Sequence, residues 1–258
     1  GIKIGDAINT ASLTLDNINE LDVKGSVIAY GDLSVDANSV NVTGGLNLYK
    51  GTINIDSTGA VTLGELIAND NVGGTTVSGQ TITVSGGVSN QGSDMELIAG
   101  NDVNITGNLE NSAASNLSVS GADLVVTGTV KNDRTDGGTL TLNVDSWRIN
   151  GGNQNTYSLV NNGNLYATVD GETYMEYGLN LAGMGTDNEF SLTTGTLVFG
   201  DSDKWFGAFA NNLNKFNVNI TGGDLDNLTT VLNGANGNTN ATMTVAAQNI
   251  VAGSVQND

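Results

Sequence analysis

The sequence predicts an all-β fold, a parallel β-helix whose coils hold about 21 residues. Three observations lead to it: a glycine motif recurs at a nearly fixed spacing, aliphatic and polar residues alternate in short segments, and the chain has 36 Gly and no Pro. A unit of this length holds three short strands and cannot close a core alone. It can stack on a copy of itself, with strands paired in parallel at about 4.8 Å.

The motif reads apolar, any residue, apolar, polar, glycine, any residue, apolar. Its clearest copies are residues 40–46, 82–88, 103–109 and 124–130, with an earlier copy at 21–27 and a shorter one at 61–66. Its glycines follow one another at nearly equal steps: Gly25, Gly44, Gly64, Gly86, Gly107 and Gly128. We interpret each glycine as a coil corner, where a positive φ carries little steric cost. The alternatives are a β-sandwich, which lacks a fixed glycine period, and a propeller, whose blades repeat at about 40 to 50 residues.

Residues 1–152 form the regular part of the predicted helix. Further alternating segments precede each motif, for example residues 33–37, 95–99 and 140–144. Alternation places the aliphatic residues on one face and Thr, Ser, Asn and Asp on the other. Asn side chains in equivalent positions can stack from coil to coil, and the absence of Pro leaves the backbone N–H groups available to the ladders.

Residues 153–258 are predicted to be an irregular, aromatic-rich continuation of the helix. The spacing of apolar residues becomes uneven after Gly152, and eleven of the thirteen aromatic residues lie between Trp147 and Phe216. Regular coils resume near the C-terminus, where residues 250–255 repeat a short form of the motif.

The charge of the chain restricts its partners. The formal net charge is −19, from 8 Lys and Arg against 27 Asp and Glu. Because phosphate groups are bound by cations, we expect neither nucleic acid nor an anionic membrane surface as a partner. The sequence has no apolar run of about 18 residues and no basic, apolar leader, so we expect no membrane insertion. We interpret the chain as part of a longer protein.

The absence of His and Cys restricts catalysis. Ser-His-Asp and Cys-His mechanisms cannot be assembled, and zinc lacks nitrogen and sulfur ligands. An enzyme would depend on clustered carboxylates, with Arg134 or Arg148 holding an anionic sugar, but no pattern brings three carboxylates to one face. Calcium ligation by Asp201 and Asp203, or by Asp224 and Asp226, lacks a known calcium-loop pattern. We therefore predict no catalytic residue, metal or cofactor.

The aromatic segment contains the candidate binding residues. Aromatic side chains can stack on sugar rings or anchor a protein contact. On this basis the candidates are Trp205, Phe206, Phe209, Tyr174 and Tyr177. The alternative is that these rings fill the core where the coil widens.

Residues 97–111 resemble the repeat of filamentous-haemagglutinin-type adhesins and autotransporter passengers. Residues 35–46 form a second copy and residues 245–257 a weaker third. The resemblance implies a right-handed parallel β-helix on the outside of a Gram-negative cell, exported through an outer-membrane barrel.

The sequence thus leads us to expect a non-enzymatic extracellular structural or adhesive protein on a bacterial cell surface, acting as a rigid acidic rod. Its partners would be a host-cell, neighbouring-cell or matrix surface, contacted through glycan or protein. One alternative is a self-assembling surface-layer, sheath or filament subunit that stacks end to end. A carbohydrate-active β-helix enzyme or phage tailspike is a third interpretation.

Overall fold

The structure is a computed structural model, and it describes residues 1–112, 114–133, 138–152, 157–181, 188–200, 208–211, 213, 215–233 and 239–257. The secondary structure assigned in these residues consists of strands, without a helix. A helix that could cross a membrane is likewise missing from the described ranges.

The strands, in chain order, are β1 (Ile2–Ile4), β2 (Ile8–Thr10), β3 (Leu13–Val23), β4 (Ser26–Ala29), β5 (Leu33–Val42), β6 (Gly45–Leu48), β7 (Gly51–Ser57), β8 (Ala60–Leu63), β9 (Leu66–Ala68), β10 (Val72–Gly79), β11 (Thr81–Val84), β12 (Val88–Asn90), β13 (Met95–Ala99), β14 (Val103–Ile105), β15 (Leu109–Asn111), β16 (Asn116–Val126), β17 (Val130–Asn132), β18 (Thr139–Ile149), β19 (Leu159–Asn161), β20 (Asn164–Met175), β21 (Leu179–Leu181), β22 (Glu189–Phe199), β23 (Ala208–Asn211), β24 (Lys215–Ile220), β25 (Leu225–Asn233), β26 (Met243–Ala246) and β27 (Ile250–Asn257).

These strands form two parallel sheets of 15 and 12 strands. The smaller sheet follows the order β2-β4-β6-β9-β12-β15-β17-β19-β21-β23-β25-β27, so each strand pairs with its counterpart one coil away. The predicted parallel β-solenoid is confirmed, and it makes about 9 turns.

Each coil contributes three strand segments. In one coil these are β13, β14 and β15, of which the first two belong to the larger sheet and the third to the smaller one. In the next coil the first two segments are continuous in β16, which pairs with both β13 and β14. The three-segment coil matches the prediction from the alternating segments.

Coil length increases along the chain. Near the start, Thr14 pairs with Ser34, and near the end Asn217 pairs with Thr244, so the later partners are further apart in sequence. The ladders continue through the segment after Gly152, because β18, β20, β22, β24 and β26 pair in succession.

The core lies between the sheets and consists of inward-facing side chains stacked from coil to coil. Its largest fully buried side chains include Trp147, Phe190 and Phe216. The rings of Phe190 and Phe216 stack with centroids 5.1 Å apart. These three rings therefore fill the core in the longer coils, which is the alternative interpretation of the aromatic segment.

Glycine occupies the motif positions for a different reason from the one predicted. The glycines with positive φ in the described chain are Gly45, Gly51, Gly152 and Gly178, none of which is a motif glycine. At Gly107 an added Cβ would lie 2.6 Å from the carbonyl carbon and oxygen of Gly86, one coil earlier. Close approach between the corners of successive coils thus requires glycine here, and the expectation of positive φ was wrong.

The predicted stacking of Asn side chains is confirmed at the ends of four successive strands of the smaller sheet. The Nδ2 group of each residue donates to Oδ1 of the next, over 3.1, 3.2 and 2.8 Å, through Asn90, Asn111, Asn132 and Asn161. All four side chains are fully buried. The amides satisfy one another along the axis, which is what buried polar groups require.

Candidate functional site

The five candidate binding residues do not all lie in the described part of the chain. Trp205 and Phe206 fall outside the described residues. Phe209 lies on β23 of the smaller sheet, where its backbone pairs with Leu179. Tyr174 lies on β20 of the larger sheet, and Tyr177 follows that strand. Tyr174 and Phe209 therefore belong to different sheets of the solenoid.

Tyr174 is part of a charged cluster on the larger sheet. It pairs in register with Arg148, whose guanidinium carbon lies 4.2 Å from the centre of the Tyr174 ring. Arg148 Nη2 also donates to Glu172 Oε1 at 2.8 Å, and the Tyr174 hydroxyl donates to Glu176. A cation over an aromatic ring is attracted by the negative face of the ring.

Burial, followed by the hydrogen bond and charge of Glu176, raises the pKa of Tyr174 to about 12, while Arg148 acts in the opposite direction. The phenol thus stays protonated at neutral pH. Arg148, one of the two cations considered for an anionic sugar, thus contacts Glu172 and the Tyr174 ring. Arg134, the other candidate cation, lies outside the described residues.

Tyr177 has a structural contact. Its backbone N–H donates to Ser158 Oγ at 2.8 Å, and the same hydroxyl donates to the Gly151 carbonyl at 2.7 Å. Ser158 is fully buried. Through this hydroxyl, the chain after β20 is connected to Gly151 and Ser158, which lie between β18 and β19 in sequence.

A groove of about 350 Å³, lined mainly by residues with polar side chains, crosses several coils of the larger sheet. It is lined by Asp94, Met95, Glu96, Asn116, Ser118, Thr139, Thr141 and Tyr166. Glu96, Ser118, Thr141 and Tyr166 are register partners on β13, β16, β18 and β20. The depression arises because two short side chains separate the long side chains of Glu96 and Tyr166.

Tyr166 is held at one end of this groove. Its side chain remains 40% exposed. Partial burial and Glu189, which is both a nearby charge and a hydrogen-bond partner, raise the pKa of the Tyr166 phenol. Glu189 is itself positioned, because its N–H donates to Asn164 Oδ1 at 2.9 Å. The hydroxyl of Tyr166 is thereby engaged, and the ring forms an apolar wall.

A second groove, of about 250 Å³, lies on the smaller sheet. Its carboxylates already have partners within the protein. Glu65 accepts from Asn47 at 3.2 Å, and Glu110 accepts from Asn108 at 3.1 Å and pairs with Lys131 at 3.2 Å. Both carboxylates of this groove are therefore engaged within the protein.

An exposed aromatic pair was missed by sequence reasoning. Tyr30 and Tyr49 directly follow β4 and β6, and their rings stack with centroids 5.1 Å apart and planes inclined by 13°. Both rings are exposed. They are separated in sequence by one coil period, the same step as from Gly25 to Gly44, and this spacing was the signal that could have identified the pair.

The acidic residues that were considered as calcium ligands, and for which no calcium site was predicted, are only partly described. Asp201 and Asp203 lie outside the described residues, and the Asp224 carboxylate accepts from Asn249 Nδ2 at 2.9 Å. Within the described ranges, no group of three or more acidic side chains is arranged to hold a metal ion.

Comparison with known proteins gives no further guide to this geometry. No protein-family model, no curated protein and no solved structure matches the chain significantly.

Proposed function

We propose that the chain is part of a non-enzymatic extracellular protein of the adhesin or autotransporter-passenger type, a rigid acidic rod that makes contacts along its sides. It would work on a bacterial cell surface, where its partners are host-cell, neighbouring-cell or matrix surfaces. The observation that carries the proposal is the uninterrupted succession of parallel pairings from β1 to β27 around one apolar core.

A stack of this kind supports a role as a stiff spacer that holds contact surfaces away from the cell. Because every coil pairs through its backbone with the coils before and after it, bending the axis would strain many hydrogen bonds at once. The inward rows are mainly apolar, and most hydroxyl, amide and carboxylate groups lie on the outward rows, where they can meet other surfaces.

The distribution of charge supports lateral contacts rather than electrostatic capture of anions. Several cations are already paired with carboxylates on the same or a neighbouring coil: Lys3 with Glu20, Lys24 with Asp22, Lys131 with Glu110, Arg148 with Glu172, and Lys215 with Glu189. With a net charge of −19, rods of this type repel one another in solution, which favours display as separate molecules.

The test is adhesion of beads that carry the chain. The chain is attached to streptavidin-coated beads through a C-terminal biotin. The beads are passed over epithelial cells, bacterial cells and matrix-coated glass, with soluble chain as competitor. We expect the folded chain to retain beads on at least one surface, and heat-unfolded chain at equal density to retain few. Equal retention by folded and unfolded chain would contradict the proposal. Release of reducing or unsaturated ends from a polysaccharide would favour the enzymatic alternative.

End-to-end assembly is the second candidate function. It is favoured by the parallel pairing of equivalent strands in successive coils, because a coil of a second copy can pair in the same way. The occupant would be a coil of a second copy, with its β2 adding to β27 within the smaller sheet. Open strand edges are templates for such pairing, and a charge on the edge opposes it. Filaments in negative-stain micrographs that vanish in Val255→Lys would support assembly, and a monomer at high protein concentration would exclude it.

A further inference from the structure

We propose that the groove between Glu96 and Tyr166 binds a neutral, hydroxyl-rich saccharide that lies along the solenoid axis. This inference rests on the proposed adhesive function and names the ligand class for one lateral contact.

The shape of the groove fits an extended chain rather than a compact ligand. Glu96, Ser118, Thr141 and Tyr166 are separated by three successive coil steps, or about 14 Å along the axis at about 4.8 Å per step. A parallel row of polar residues lies two positions earlier in each coil, at Asp94, Asn116 and Thr139. The groove therefore presents two rows of hydrogen-bonding groups at regular axial spacing.

The chemistry of the lining fits sugar hydroxyl groups. Glu96 and Asp94 accept hydrogen bonds, and a bond to an ionised acceptor is stronger than one between neutral groups. The hydroxyls of Ser118 and Thr141 can both donate and accept, as a sugar hydroxyl does. Asp94 is held in position because its Oδ1 accepts the Asn116 N–H at 3.0 Å.

Tyr166 supplies the apolar component. Its ring lines the end of the groove while its hydroxyl is engaged by Glu189. A pyranose ring has an apolar face of C–H groups that can pack on such a ring, and an aromatic side chain gives a large contact area at low entropic cost. A combination of one aromatic wall and several polar groups is typical of small-molecule sites.

The charge of the lining selects against anionic ligands. Among the described residues that line the groove, two are carboxylates and none is Lys or Arg. At these described residues a uronate or sulfated sugar would meet like charge without a compensating cation, which opposes binding. A cationic peptide would be attracted by Asp94 and Glu96 but would make little use of the hydroxyls of Ser118 and Thr141.

The experiment measures binding of defined probes to the full chain in solution. Cellohexaose and mannohexaose serve as neutral probes, a hexamer from polygalacturonate as the anionic probe, and hexalysine as the cationic peptide. Amide chemical shifts of the labelled wild-type chain locate the contact. We expect a neutral probe to bind and to shift the amides of Ser118, Thr141 and Tyr166.

Variants then test the assignment. Tyr166→Ala removes the wall and Ser118→Trp fills the groove, and we expect each to weaken binding at least tenfold. Tyr166→Phe keeps the ring and should keep most of the affinity. Ser34→Trp is the matched control, because Ser34 occupies the same outward row outside the groove. Thermal melting checks that each variant folds, and the wild-type shifts remain informative if one does not.

The outcomes that overturn the proposal are distinct from those that overturn adhesion. No binding of any neutral probe, tighter binding of the anionic probe or of hexalysine, or shifts located away from the groove would each overturn it. Bead adhesion that is unchanged in Tyr166→Ala would support the adhesive function and show that it does not depend on this groove. Saccharide binding without bead adhesion would support the groove as a binding site and contradict the adhesive function.

Discussion

Asn132 donates from Nδ2 to Oδ1 of Asn161 over 2.8 Å, and both side chains are fully buried. The same Asn132 amide also faces the carbonyl oxygens of Gly138 and Asn164 at 3.2 and 2.7 Å, and its Oδ1 accepts from Asn111. One side chain thus ties together three coils, so its removal affects the stack more than a surface substitution would.

We expect Asn132→Ala to lower the free energy of unfolding by about 2 to 4 kcal/mol, because several buried groups lose a partner and each such loss costs about 1 to 3 kcal/mol. Chemical denaturation followed by circular dichroism measures the change. Asn217→Ala is the control, since Asn217 is exposed on β24. Equal effects of the two substitutions would contradict the role of the stacked amides.

We expect Asn132→Asp to make stability depend on pH. A carboxylate there would face oxygen atoms of Gly138, Asn161 and Asn164, so burial and repulsion would raise its pKa in the folded state. The folded chain would then hold a proton that the unfolded chain releases above about pH 4. Stability should rise as pH falls toward that value, relative to wild type. A pH-independent difference between the two chains would contradict this expectation.

We expect Gly107→Ala to destabilise the chain by about 1 to 3 kcal/mol, in the range of overpacking. The new Cβ would lie 2.6 Å from backbone atoms of Gly86, and the backbone of a neighbouring coil cannot move aside cheaply. Gly74→Ala is the matched control, because its Cβ would have no neighbour closer than 3.9 Å. A denaturation midpoint for Gly107→Ala equal to that of Gly74→Ala would show that corner spacing is not the reason for glycine.

The arrangement of the coils could be predicted because the same pattern of apolar and glycine positions recurs in each copy of the motif. Each copy of the motif has two apolar positions followed by glycine, and in the structure Val103 and Ile105 are buried while Gly107 forms the corner. The reason for the glycine could not be predicted, since a sequence shows where glycine recurs but not how near the next coil passes. The distance between Gly107 and Gly86 is a property of the stack.

The groove could not be predicted because it is formed across coils of unequal length. Ser118 pairs with Thr141 and Thr141 with Tyr166, and the second of these two steps spans the longer stretch of chain. Once the glycine phase is lost after Gly152, the sequence gives no register that places Tyr166 beside Thr141. The sequence indicated that aromatic rings could fill a wider coil. It did not indicate that Trp147, Phe190 and Phe216 would be the buried ones.

We expect Thr75→Val to stabilise the chain by about 1 kcal/mol. Thr75 lies in the core between Ile53 and Met95, and its Oγ1 finds no hydrogen-bond partner in the described part of the chain. Valine has nearly the same shape and no hydroxyl to desolvate. Thr76→Val, at the neighbouring outward position, should change stability by less than about 0.5 kcal/mol. A lower denaturation midpoint for Thr75→Val would mean that the hydroxyl has a stabilising contact.

The most direct test of one rigid stack of coils is a pair of spin-label distances. The chain has no native Cys, so paired substitutions to Cys label only the chosen sites. Thr14 and Ser118 lie five coil steps apart in the outward row, and Thr14 and Asn217 nine steps apart. At about 4.8 Å per step, a rigid rod gives narrow distributions centred near about 24 and about 43 Å. A longer-pair distribution that is broad, or centred well below the value for the rod, would contradict a rigid stack.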